Sequence, residues 1–360
     1  MAVTSSNFNN IAKAISAYAQ ADRADAALLT STALVGSDAR ITDSGENYTG
    51  TLRWLDFSDP TGFNKQNETA SDKNLNTMGV SNKSAVYIKN IDHIAAEELS
   101  VQKLISKVDG LSYLGGQFAG VRARREDLQL RSIMNGVADK IFGSTTIGAS
   151  DAAATVNTFG YYTGSDSGSN PNALFSLETN ANKRSAFFDV LLDGITAVKG
   201  EFEEPFYYLV IDTATYNTMR KQNVLDVAPV VDGNFNFNTI LGGKIRLIVN
   251  NQSLTANLPS GLKVSYLAKA SAVHYSEIAQ TNPTALERDE LAGNGGGLVT
   301  IISRWGNIMH PKGMSWAGSA TAYPANSDLA TGSNWTVHAT NVNQMGMFPI
   351  IIITIRYGEI

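Results

Sequence analysis

Cysteine is absent from the 360-residue chain. That excludes a disulfide framework, a thiolate metal site and a cysteine nucleophile. Charge is scarce as well: Asp, Glu, Lys and Arg make up 17% of the residues, against 43% apolar ones. Nor is there an excess of positive charge, since 28 Lys and Arg face 33 Asp and Glu, for a net charge of −5. A protein that grips phosphate backbones draws its affinity from neutralising them, so nucleic-acid recognition is disfavoured, while a mildly acidic wall around DNA is compatible. Long hydrophobic runs are missing too. The longest, Met347 to Ile353, falls far short of the roughly 20 residues that span a bilayer as a helix, and no membrane partner is expected. The stretch from Met1 to Phe8 lacks a basic region followed by an apolar core, the pattern of a signal peptide, so the chain is expected to stay in a cytosol.

What is present is a polar but uncharged composition rich in Gly, Ser, Thr, Asn and Ala. It suits a protein with many surfaces to be covered, because charge is depleted from interface cores. The length favours two domains over one.

Along the chain, residues 8–30 predict an Ala-rich helix, with Ile11, Ile15 and Tyr18 on one stripe. Residues 31–48 read as a polar arm. Two β-leaning segments, Tyr48 to Phe57 and Ser84 to Ile91, flank a turn signal at Asp59-Pro60-Thr61-Gly62 and a polar stretch from Asn64 to Asn76. They predict a long hairpin with a polar tip. An isolated two-stranded ribbon is marginal in water, so this one is expected to pack on something else, such as another subunit.

A short helix is predicted from Ala95 to Lys107, and Asp109 then caps a long one from about Gly110 to Phe142, stopped by Gly143. Its apolar residues fall on two faces. Leu111, Leu114, Phe118, Val121 and Leu128 share one; Leu130, Ile133, Met134, Val137 and Ile141 share another, rotated by roughly 150°. The two halves are therefore expected to bury nearly opposite faces, switching near Gln129. The same helix carries Arg122, Arg124, Arg125, Glu126, Asp127 and Arg131. These read either as an inter-subunit charge cluster or as a solvated face laced by i, i+4 pairs.

Residues 143–184, rich in Gly, Ser, Thr, Asn and Ala, read as a connecting segment. Ser185 then caps an amphipathic helix whose Phe187, Phe188, Leu191, Leu192, Ile195 and Val198 lie within roughly 140° of arc. The unbroken apolar run Phe206 to Ile211 predicts a strand buried on both faces, and Asp212 caps a short helix reaching about Lys221. Thr239 to Val249 reads as a hairpin turning at Gly242-Gly243. Strands are predicted from Leu262 to Ala268 and from Ala272 to Ile278. After an acidic, Gly-rich loop, Glu287 to Gly297, come a strand from Leu298 to Trp305, a turn at His310-Pro311-Lys312-Gly313 and a terminal apolar strand from Met347 to Arg356. Helices on mixed sheets make the fold class α+β.

Catalytic signatures are weak. Gly293-Asn294-Gly295-Gly296-Gly297 fits neither a phosphate loop nor a dinucleotide turn, because a strand follows it. Ser100-Val101-Gln102-Lys103 matches S-x-x-K without the companion motifs. The four histidines, His93, His274, His310 and His338, are scattered without metal-ligand spacing, and His310, before a proline in a tight turn, is expected to make a structural hydrogen bond. Adjacent carboxylates such as Glu97/Glu98 and Glu203/Glu204 point apart. No catalytic residue, cofactor or metal site is assigned, and a non-enzyme is expected.

The order of parts resembles the tailed-bacteriophage major capsid family, with the Hong Kong 97-like fold also found in encapsulins. The most specific stretch is Leu298 to Trp316, a strand ending in Arg304-Trp305-Gly306 that leads to the turn His310-Pro311-Lys312-Gly313 and the aromatic Trp316. Asn334-Trp335 before the terminal strand, and Phe206 to Met219 with Tyr216 on a short helix, are similar to the same family. The resemblance implies an N-terminal arm (1–48), an extended loop (49–93), a peripheral domain (94–184 and 297–360) with a spine helix at about 110–142, and an axial domain (185–296). It implies a shell subunit that assembles with itself into hexamers and pentamers of an icosahedral capsid enclosing double-stranded DNA. A separate scaffolding protein, a portal protein and a decoration protein are the expected partners, with assembly in the host bacterial cytoplasm and residence in the virion. Trp54, Phe57, Phe63, Lys65, Arg122, Arg124, Arg125 and Arg131 are the candidate inter-subunit contacts. An encapsulin-type compartment shell and another phage structural protein are the alternatives.

Overall fold

The computed structural model describes residues 32–41, 48–58, 79–99, 110–142, 191–199 except 193 and 197, 204–221, 225–226, 230–232, 235–250, 262–319, 321–339 and 344–353. The expected helix over 8–30, the hairpin tip, the Ser100–Lys103 motif and the connecting segment 143–184 lie outside the described residues. So do the Asp109 cap and the Ser185 cap.

The long helix is present at the expected bounds, α1 (Gly110–Phe142). At about 1.5 Å per residue its 33 residues span roughly 50 Å. Around it stand two sheets. The first contains β1 (Val35–Ser37), β2 (Thr49–Ser58) and β3 (Gly79–Leu99). The second is built on β4 (Tyr207–Asp212), which leads into α2 (Thr213–Lys221). A small β5 (Val230–Asp232) and β6 (Phe235–Phe237) pair with each other. Then follow β7 (Thr239–Ile240), β8 (Ile245–Asn250), β9 (Leu262–Ala268), β10 (Val273–Ile278), β11 (Thr284–Asp289) and β12 (Leu298–Pro311). β13 (Met314–Trp316), α3 (Asn326–Leu329), β14 (Trp335–Val337) and β15 (Met347–Ile353) complete the described chain.

Sheet one has the order β1-β10-β12-β3-β2, with β11 also on β12. Sheet two has the order β15-β9-β4-β8-β7. These partnerships cut across the expected boundaries. β10 and β11 fall inside 185–296, yet they pair with β12. β15 falls inside 297–360, yet it pairs with β9.

The second sheet follows its sequence closely. All six residues of β4 are buried, as an unbroken apolar run requires when a sheet is covered on both sides. Tyr208, Val210, Val264, Tyr266 and Ala268 turn toward α1, while Tyr207, Leu209, Ile211, Ile245 and Leu267 pack with Leu191, Ile195 and Val198 of the helical 191–198 segment. Asp212 accepts a hydrogen bond from the Thr215 backbone N–H at 2.9 Å, the expected cap. The β7–β8 turn places Leu241, Gly242 and Gly243 at φ of 58°, 68° and 89°, a run of left-handed residues that the Gly-Gly pair makes affordable.

Several expectations fail for identifiable reasons. The predicted helix from Ala95 does not start there, because β3 continues to Leu99 and pairs with β12 from Lys89↔Ile308 to Leu99↔Leu298. Ala and Glu are poor strand formers on average, but Ile94 and Ala96 alternate inward onto Phe118 and Ile301, and that packing decides. The supposed polar arm holds β1, parallel to β10, with Leu34 and Ile41 buried beside it. The switch of faces on α1 is also absent among the helix residues whose burial is described, 117–141 except 119. Phe118, Ala123, Glu126, Leu130, Ile133, Val137 and Ile141 are all buried and lie within roughly 140° of arc, one continuous stripe. Between Phe118 and Leu130 that stripe is carried by Ala123 and Glu126, which an apolar pattern does not count, while Leu128 is 41% exposed. The strand from Leu298 also runs past Trp305 to Pro311, and the start of the supposed Glu287–Gly297 loop belongs to β11.

The C-terminal segment clasps α1. The Trp335 indole is fully buried, donates to the Leu329 carbonyl at 2.8 Å and meets Trp316 edge to face at 5.1 Å. Asp139 accepts from the Gly332 N–H at 2.6 Å. Gly136 makes this approach possible: a Cβ there would lie 2.1 Å from the Leu329 carbonyl oxygen and 2.5 Å from the Trp335 Nε1. Gly136→Ala should therefore lower stability by about 1–3 kcal/mol. A urea midpoint equal to that of the unaltered chain would contradict this close-packed contact.

Candidate functional site

Two regions gather functional chemistry: the junction between α1 and sheet one, and a cavity at the base of the β2–β3 hairpin. The hairpin forms as expected, in register from Thr49↔Ile88 to Ser58↔Gly79. β3 pairs with β12 along its C-terminal half and with β2 along its N-terminal half, so the ribbon runs on beyond the β12 ladder. Near its base Leu52 and Tyr87 are buried with Ile278 and Ile308, and the Val86 N–H donates to the Ser315 hydroxyl oxygen at 2.9 Å. Farther out Arg53, Asn82 and Ser84 are exposed. Among the candidate contacts, Trp54 is half-buried at the base and meets the His338 ring edge to face at 5.3 Å. Phe63 and Lys65, and the side chain of Phe57, lie outside the described residues.

The arginines of α1 divide. Arg122 reaches the buried Glu126 at 3.0 Å and Glu277 of β10 at 2.6 Å. Burial weakens its hold on the proton, but the Glu126 and Glu277 carboxylates outweigh that and leave its pKa raised. The Tyr275 hydroxyl also reaches Glu126, at 3.3 Å. Arg125 donates to Asp92 and to the His93 carbonyl, at 2.8 and 2.9 Å, and sits 5.8 Å from the centre of the Trp305 ring. Arg124 is exposed and donates to the Gly120 carbonyl of its own helix, as Arg131 does to that of Asp127. Arg122 and Arg125 thus tie α1 to sheet one, a use that neither sequence reading anticipated. Replacing one partner of a buried pair leaves the other charge uncompensated. Arg122→Met should cost about 3–5 kcal/mol, and Arg124→Ala less than about 0.5 kcal/mol, as compared by chemical denaturation.

The cavity, of about 290 Å³, collects three of the four histidines. His274 on β10 and His310 on β12 are cross-strand partners, and His338 is brought over by its backbone N–H bond to the Gly313 carbonyl at 2.9 Å. Arg40, Lys312 and Trp54 complete the polar and aromatic lining. Linear spacing could not reveal this meeting, because it depends on strand register. Asp38 accepts from Arg40 at 3.0 and 2.6 Å and lies 3.6 Å from His274. The Arg40 hydrogen bond holds its carboxyl down to about 2. His310 is buried and makes a backbone hydrogen bond with Met314, the structural role expected of it, yet burial and the neighbouring His274 push its pKa down to about 3. Among the described residues, no group of three or more His, Asp or Glu is placed to hold a metal ion, and no helix is long and apolar enough to cross a membrane.

Because the folded value of His310 lies below its ordinary 6.5, the unfolded chain binds the proton first. Stability is intact above about pH 6.5 and falls as the pH drops toward 3. The slope reaches about 1.4 kcal/mol per pH unit for one proton. His310→Asn should flatten this part of the stability–pH profile measured by denaturant titration, and an unchanged slope would assign it to other groups.

No protein-family model matches the sequence, and no curated protein matches it. Solved structures do match. A chain from the capsid of Ralstonia phage GP4 is 9% identical, with 90% of this chain and 88% of that one covered, at a TM-score of 0.54. A chain from the head structure of Helicobacter pylori bacteriophage KHP40 is 9% identical, covering 91% and 90%, at 0.48. A chain from the capsid of the cyanophage P-SCSP1u is 12% identical, covering 77% and 83%, at 0.44. The first of these matches carries the conclusion: the protein has the fold of a chain from a bacteriophage capsid.

Proposed function

We propose that this protein is a bacteriophage capsid subunit, a structural rather than catalytic protein. It assembles with copies of itself into hexamers and pentamers of an icosahedral shell around double-stranded DNA. The observation that carries this reading is the fold shared with the Ralstonia phage capsid chain over 90% of this chain. The ribbon supports it, since a two-stranded hairpin running beyond the β12 ladder is marginal alone and a neighbouring copy would cover it. In the Hong Kong 97-like reading, α1 is the spine and 49–93 is the extended loop reaching over that neighbour. Sheet one with α1 forms the peripheral region, and sheet two with its two helices forms the axial region. Trp54, Phe57, Phe63 and Lys65 then face the neighbouring copy, together with the exposed Arg124 and with Arg131. The net charge of −5 fits a wall that encloses DNA without gripping it. A scaffolding protein and a portal protein are the partners such a shell calls for, a decoration protein can bind its outside, and the virion is its location.

Many modest interfaces per subunit would supply the assembly energy, each reversible alone and collectively persistent once the symmetric shell closes. Overexpressed full-length protein should yield closed shells in negative-stain micrographs; open tubes or isolated rings alone would overturn the reading. Replacing residues 62–78 with a short turn should leave subunits with unchanged circular dichroism that form no stable shells. Normal particles from that variant would remove the ribbon from the assembly mechanism.

A further inference from the structure

The cavity at the hairpin base is built unlike the rest of the interior. It carries two fixed cations, Arg40 and Lys312, and three imidazoles around one space of about 290 Å³. Asp38, the carboxylate beside His274, is already engaged by the Arg40 Nε and Nη2 hydrogen atoms. Lys312 has no carboxylate partner among the described residues. Among the described residues, the buried ring nitrogens His310 Nδ1 and His338 Nε2 have no hydrogen-bond partner, although buried polar atoms are nearly always satisfied. His310 itself is 2% exposed. The groups come from separate segments: Arg40 from the stretch after β1, His274 from β10, Lys312 from the tight turn at Gly313 (φ 86°) and His338 from the end of β14. The fold converges an excess of positive charge and unspent hydrogen-bonding capacity on a space large enough for a small molecule.

We propose that this cavity binds a compact oxyanion, seated between Lys312 and Arg40 and hydrogen-bonded by His310 and His338. The chemistry is that of a sulfate, phosphate or carboxylate group. A fixed cation supplies the attraction, and imidazole N–H groups supply directed donors. The charged and titratable groups around the imidazoles are Asp38 and Arg40 beside β1, Tyr87 on β3, 6.4 Å from the His310 ring centre, and Lys312 in the turn. With the cavity free, burial opposes a charge on His274 and His310, and Lys312 and Arg40 oppose it further on His274. A bound anion reverses that balance, so binding takes up protons and tightens as the pH falls.

Sulfate is the probe, because its charge is constant between pH 5.5 and 8 on the order of these titrations. Isothermal titration of full-length, unassembled protein should give saturable one-site binding. It should be at least about fivefold tighter at pH 6 than at pH 8, with proton uptake seen as a buffer-dependent heat. Lys312→Met should weaken binding about tenfold or more, and Lys312→Arg should restore it. His338→Phe should weaken binding about fivefold, through loss of one hydrogen bond to the anion, while circular dichroism stays unchanged. Binding that is equal in Lys312→Met and the unaltered chain, or that never saturates, would overturn the proposal. Assembled shells distinguish the source of the anion. If they still take up sulfate, the site serves a free ion; if they exclude it while Lys312→Met lowers shell yield, a carboxylate of a second copy fills it. The titration on unassembled protein stands whether or not shells form.

Discussion

The burial of α1 is the constraint on which the rest of the molecule depends. Its C-terminal half places Leu130, Ile133, Met134, Val137, Ala138 and Ile141 in one cluster with residues from both sheets. Tyr208 and Tyr266 belong to sheet two; Val273 and Met309 belong to sheet one. The Tyr266 hydroxyl donates to the Asn135 side-chain oxygen at 3.0 Å, which fixes the rotation of the helix against sheet two. The Trp335 clasp closes over the remaining side through Gly136. Each sheet obtains its covered face from the same helix, so the two regions are coupled by shared packing rather than by a linker.

Where the sequence was legible, one local rule dominated. The bounds of α1, the buried β4, the Asp212 cap and the Gly242-Gly243 turn each express a pattern contained within a dozen neighbouring residues. What was not legible depended on partners far along the chain. β3 extends through Ala95 and Glu97 because β12 supplies a ladder for them. The stripe on α1 is continuous because Ala123 and Glu126 occupy it, the latter held by Arg122. β10 and β15 exchange sheets because register, which no local window contains, decides where a strand pairs. The cavity illustrates the same limit, since residues as far apart as Arg40, His274, Lys312 and His338 meet in it and no linear spacing joins them.

Scarce charge is spent at junctions. Arg122 and Arg125 join α1 to β10 and β3, and Asp38 with Arg40 lies beside the β1–β10 pairing. Ion pairs are directional in a way apolar contacts are not, so such pairs specify how elements meet even where their net stabilisation is modest. Apolar burial holds the helix and sheets together; these few charges set their alignment.

β3 is a single strand of 21 residues, roughly 70 Å of continuous backbone at 3.3 Å per residue. One end lies in the ribbon and the other is laddered to β12. Such a strand behaves as a lever. A load applied to the ribbon along its axis enters sheet one as shear across the whole β3–β12 ladder, where many hydrogen bonds resist at once. A load applied across the ribbon instead peels the β2–β3 bonds in turn. The protein is therefore mechanically anisotropic, stiff to pulling along the hairpin and compliant to bending it.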